Sequence, residues 1–192
     1  MTVIIVILKV ILLPLLLLLT SCSPEKVNYT YIGDGSSGGW TRSPEGWSSS
    51  KLNTPDPSRS IQGFWAPGGS IEKVLIPSDI LSGILQSHKV PPASGDQLEN
   101  AAVGVVFPDY NTALQGVAKE LQRSVTFKDG FKYTRLSFQA AINGGEVIVE
   151  QLSVIDEAKN RVQSIALGCS PICFNRESST IKDIINSWKA DI

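Results

Sequence analysis

Cysteine and histidine are the scarce reactive residues of this chain, three and one respectively among 192. With His88 as the single imidazole, any Ser-His-Asp or Cys-His site must run through it. Ser164 and Ser170 are the serines such a site would recruit, with Asp156 as the acid. Gly168-Cys169-Ser170-Pro171 lacks the second glycine of a Gly-x-Ser-x-Gly turn, so the strained elbow that exposes a nucleophile is missing. His88 lies close to Pro91-Pro92 in a polar connector and reads as a solvent-facing histidine at a helix end. Cys169 and Cys173 stand four residues apart with Pro171 between them, a spacing that suits a tight loop. Zinc would need two more ligands of the right type, and none is clustered nearby. The sequence therefore predicts no catalytic residue, no cofactor and no metal site, and the chain is not expected to be an enzyme.

The third cysteine sits elsewhere. Met1 to Leu19 is a nearly uninterrupted apolar run, and it ends in Leu19-Thr20-Ser21-Cys22. This ending resembles the bacterial lipobox, where a signal peptidase cuts just before a cysteine that then becomes lipid-modified. Small residues before Cys22 can enter the peptidase cleft, and Ser23-Pro24-Glu25 cannot comfortably prolong a helix, because proline removes a backbone donor. Lys9, inside the run, is its only charge. A retained membrane anchor is the other reading of such a run. Either way the remaining chain is expected outside the cytoplasm, at the cell membrane. With Cys22 assigned to lipid, the remaining cysteines are even in number. In an exported chain that reads as a Cys169–Cys173 disulfide.

Composition narrows the partners. The net charge is −1, and it becomes −2 once Lys9 leaves with the signal, 16 basic groups against 18 acidic. That balance leaves no electrostatic footprint for nucleic acid. The expected partners are the membrane, through the lipid anchor, and an envelope protein or glycan.

Three regions must carry these residues: a signal peptide over 1–21, a tether over 22–70 and a globular domain over 71–192. The tether is rich in Gly, Ser and Pro, a composition that buries little apolar surface. Its anomaly is Tyr29, Tyr31, Trp40, Trp47, Phe64 and Trp65. These rings read either as a sugar- or partner-binding strip or as residues packed onto the domain, Phe64 and Trp65 forming its first strand.

Within the domain, Ile71, Val74 and Ile76 predict a short strand. Ile80, Leu81, Ile84 and Leu85 then predict a helix capped by Ser78 or Asp79. Ala101–Phe107 is of strand length, and Asn111–Gln122 fits helix or strand. Phe131–Ile142 and Glu146–Ile155, joined by Asn143-Gly144-Gly145, predict a hairpin. Glu150 shares a face with apolar neighbours and is expected near one edge. Val162–Leu167 adds a third strand to an antiparallel meander. A helix over about Glu177–Lys189 follows, with an apolar stripe of Ile181, Ile184, Ile185 and Trp188. A sheet with one apolar face needs a cover, and this helix supplies it. The predicted fold class is α+β.

The run from Phe131 to Trp188 resembles the PsbP-like fold of photosystem extrinsic proteins and LpqN-type lipoproteins. The likeness rests on the strands Tyr133–Phe138, Val147–Gln151 and Arg161–Leu167, and on a phenylalanine-led terminal helix ending Ile185-Asn186-Ser187-Trp188. The resemblance implies a non-catalytic binding or accessory role at a membrane surface and brings no shared catalytic residues with it. Envelope-structural contact with glycan through the aromatic strip is the alternative, and an envelope hydrolase a more remote one.

Overall fold

The computed structural model describes residues 27–90, 98, 102, 118–142 and 144–192. The signal peptide and Cys22 lie outside them, as do most of Ala101–Phe107 and Asn143 of the hairpin turn.

The molecule is organised by one seven-stranded antiparallel sheet and a separate two-stranded hairpin. The hairpin comprises β1 (Tyr29–Gly35) and β2 (Gly39–Pro44). The large sheet takes β3 (Ser48–Leu52), β4 (Arg59–Trp65), β5 (Ser82–Lys89), β6 (Ala118–Lys128), β7 (Phe131–Ile142), β8 (Gly145–Asp156) and β9 (Arg161–Cys169). Their spatial order is β3-β4-β5-β9-β8-β7-β6. Two short helices close the chain, α1 (Pro171–Arg176) and α2 (Ser178–Ser187).

The meander β7-β8-β9 pairs antiparallel as expected, but it forms only the middle of a larger sheet. Two of its other four strands, β3 and β4, come from the segment expected to be a tether. Residues 29–65 contain four paired strands rather than a flexible linker. Composition misleads there because strands need few apolar residues when they are added to an existing sheet. Phe64 and Ile61 bury fully on β4 while the polar residues of β3 stay in solvent.

The helix expected around Ile80–Leu85 is also replaced by a strand, β5. Ile84 packs with Ile61, Leu136 and Phe138 on one side of the sheet, and Leu85 packs with Val154, Ile165 and Leu167 on the other. A central strand buried on both faces carries consecutive apolar residues, which imitates helical spacing. The strand expected at Ile71–Ile76 is a single 3-10 turn, Ile71–Lys73. Ala102, expected in a strand, is helical, and it packs with Leu98 against Ile155 and Val162.

The terminal helix forms where its apolar stripe places it. Ile181, Ile184 and Ile185 are buried against the sheet face that carries Leu85, Val154, Ile165 and Leu167. This helix covers only part of that face, and the β1–β2 hairpin packs beside it. Thr41 Oγ1 donates to the Ile184 carbonyl at 2.7 Å, and the Arg42 N–H donates to Ser187 Oγ at 3.0 Å. Trp188, the residue after the helix, is buried and donates its indole N–H to the Gly38 carbonyl at 2.9 Å.

Candidate functional site

Of the predicted site residues, Cys22 lies outside the described residues. Cys169 ends β9 and Cys173 lies in α1, with their sulfurs at bonding distance and Cα atoms 5.8 Å apart. The tight loop expected between them is the first turn of a helix. Pro171 occupies its opening position, where a missing N–H costs nothing, and Ser170 Oγ accepts from the Cys173 N–H at 3.3 Å.

The residues a hydrolase would have needed do not assemble as a set: Ser164 is buried on β9 opposite Gln86 and shares the face of His88, but Asp156 lies on the other face. Ser170 is engaged as that cap and donates to Asp79 at 2.8 Å. Asp156 accepts from the Lys159 N–H at 3.2 Å and pairs with the Lys159 ammonium. His88 is not at a helix end. It lies half-buried in β5, opposite Val162 and Arg59. By register it shares a face with Val162 and Ile155, whereas Asp156 shares the opposite face with Val154. Burial, reinforced by nearby Arg59, holds the His88 imidazole below its ordinary pKa.

The concave site lies elsewhere, between the first turn of α2 and the outer strands of the sheet. It is a groove of about 720 Å³ lined by Gln122, Ser124, Arg135, Ser137, Glu150, Ser178, Ser179 and Lys182. Strand pairing assembles it. Gln122 sits opposite Ser137, Ser124 opposite Arg135, and Ser137 opposite Glu150, so alternate residues of β6, β7 and β8 line one face. Farther along that face the residues become apolar and pack under α2. The groove opens where β6 and β7 extend beyond the helix cover.

Glu150 was expected near an edge; it lies in an interior strand. Arg135 on the neighbouring strand supplies its counter-charge, donating through Nε and Nη2 to one carboxylate oxygen. Among the described residues, Lys182 has no hydrogen-bond or ion-pair partner, and the side chains of Gln122, Ser124, Ser137, Ser178 and Ser179 have no hydrogen-bond partner. Sequence reading missed this groove because each contributor is an ordinary polar residue at strand or helix spacing. Only the register and the placement of α2 bring them together.

This architecture recurs among solved structures. The solution structure of cyanobacterial PsbP (CyanoP) from Synechocystis sp. PCC 6803 superposes over 90% of this chain and 98% of its own, with a TM-score of 0.58 at 15% identity. The fold is PsbP-like. Weaker similarity is found to the crystal structure of LpqN, described as involved in cell envelope biogenesis of Mycobacterium tuberculosis, with a TM-score of 0.41 and 14% identity over 74% of this chain and 90% of that one. No protein-family model matches the sequence, and no curated protein does. Among the described residues, no helix is long and apolar enough to cross a membrane.

Proposed function

We propose that this PsbP-like chain is a lipid-anchored, non-catalytic binding protein of the cell envelope, held at the membrane by acylated Cys22. Its ligand site is the groove between α2 and β6–β8. The observation that carries the reading is the groove's lining: six polar side chains with unused hydrogen-bonding capacity around one Arg–Glu pair. Such a lining suits a small, hydrated ligand bearing hydroxyl or anionic groups and is a poor match for an acyl chain. Lys182 and Arg135 favour an anion, while Ser124, Ser137, Ser178 and Ser179 can donate or accept as a hydroxylated ligand requires. Anchoring follows from Thr20-Ser21-Cys22 after the apolar run.

The test has two arms. Metabolic labelling with an alkynyl palmitate should tag the wild-type chain and leave Cys22→Ser untagged; equal labelling would remove the anchor. A panel of sugars, sugar phosphates and small carboxylates, read by thermal shift, should contain at least one stabilising member. A ligand at 100 times its Kd adds about 2.7 kcal/mol to stability. Ser137→Trp, which fills the groove, should abolish that shift. A panel without effect, or a shift that survives Ser137→Trp, would reject the groove as the site.

A further inference from the structure

The outer face of the β1–β2 hairpin is aromatic and open. Tyr31 is 69% exposed, Tyr29 44% and Trp40 39%. Tyr31 and Trp40 meet edge to face with ring centres 5.2 Å apart, and the Arg42 guanidinium lies 5.3 Å above the Tyr29 ring. The opposite face holds Ile32, Thr41 and Ser43, all buried against the body of the protein. The outward rings are therefore not the spill-over of a poorly packed core. They are presented by a hairpin that is itself tightly held. Trp40 exchanges both backbone hydrogen bonds with Lys189, at 3.0 and 2.9 Å.

The position of this face relative to Cys22 decides its partner. Val27, the first described residue, stands just before β1 and is itself 52% exposed. Five residue steps separate it from Cys22, and a fully extended chain of that length reaches about 18 Å at most. Whatever conformation residues 22–26 adopt, an acylated Cys22 keeps Val27, and with it the start of β1, within that reach of the bilayer. Tyr and Trp favour the headgroup layer, where the ring is apolar and the O–H or N–H stays hydrated.

Charge on this side is mixed. Arg42 and Asp183 line one pocket, Asp34 is paired with Lys51, Asp191 lies 3.8 Å from the Arg161 guanidinium, and Glu45 accepts from Asn28. Docking would therefore depend on ring insertion more than on anionic lipid.

We propose that the outer face of the β1–β2 hairpin, through Tyr29, Tyr31, Trp40 and Arg42, rests in the headgroup layer of the membrane that holds the lipidated Cys22. This rests on the anchor proposed above. It orients the molecule: the hairpin lies against the second half of α2, whereas the polar groove is lined by its first turn, so the two sit at opposite ends of that helix.

The experiment uses the full, naturally processed acylated protein in vesicles of phosphatidylethanolamine and phosphatidylglycerol carrying acyl chains brominated near the headgroup. Mass spectrometry and co-sedimentation first establish lipid attachment. If the chain carries no lipid and stays in solution, the anchor fails and the docking falls with it. With attachment established, bromine should quench wild-type emission, and Trp40→Phe should lose that quenching while sedimenting unchanged. Tyr31→Ser, at the most exposed ring, should weaken the quenching and keep the circular dichroism of the wild type. Identical quenching of wild type and Trp40→Phe would overturn the docking while leaving the anchor standing. So would a Trp40 emission that ignores bromolipid and shifts with soluble peptidoglycan fragments, which would make the strip a glycan platform.

Discussion

Trp188 does more than end the apolar stripe of α2. Its ring packs with Ile181, Ile184 and Ile185, and its N–H reaches the Gly38 carbonyl in the turn of the β1–β2 hairpin. The hairpin turn is shaped for this contact. Gly38 has a φ of +99°, and a Cβ there would stand 2.0 Å from the Gln86 carbonyl oxygen in β5. Only glycine lets the turn press so closely onto the sheet. Trp188→Ala should therefore lower stability by about 3–5 kcal/mol, as expected for deleting a buried tryptophan. Trp188→Phe keeps most of the packing but strands the Gly38 carbonyl, and should cost about 1–3 kcal/mol. Urea melts of residues 23–192 read both. An unchanged midpoint for Trp188→Ala would mean that the helix and hairpin are not locked together.

At the scale of elements, α1 is the joint between β9 and α2, and it is held at several points. The Cys169–Cys173 bond ties it to the strand, Ser170 caps it, and Arg176 donates to the Asp79 carbonyl at 2.8 Å. A loop this short restrains little of the unfolded chain, so the bond should contribute about 2 kcal/mol on the loop-entropy model. Reduction should accelerate amide exchange over residues 171–176 while β7, β8 and β9 retain their protection. Faster exchange spread equally over those strands would show that the bond supports the whole sheet. The strand–helix error at β5 belongs to this scale as well. Ile84 and Leu85 are adjacent and both buried, a pattern that a half-buried strand forbids and a doubly covered strand requires.

For the whole molecule, the hairpin, β3 and β4 are parts of the same body as the meander. β4 pairs with β5 over seven residues, and β5 pairs with β9 over eight. Limited proteolysis of the native protein should therefore spare residues 29–65 about as long as residues 131–167. Early cleavage within 29–65, ahead of any cut in the meander, would contradict this architecture. The integration also bears on the proposed anchor. A tether of 22–70 would let the domain roam, whereas an acylated Cys22, five residue steps from Val27, would hold it near the bilayer.

What the sequence determined by itself was local in origin. Alternation and Asn143-Gly144-Gly145 specified the β7–β8 hairpin. The spacing of Ile181, Ile184 and Ile185 specified α2, and the four-residue separation of Cys169 and Cys173 made their pairing possible. Each of these signals is complete within a dozen residues. The tertiary structure decided the rest, because those properties belong to pairs of distant segments. β3 is polar and β4 mixed, and they become strands because β5 offers an edge to β4 and β4 offers one to β3. β5 looks helical until both its faces are covered. The groove's serines, Arg135 and Lys182 are unremarkable until antiparallel register stacks three strands beneath the first turn of a helix. Burial and register are relations between segments far apart in the chain, and no window along a single sequence contains them.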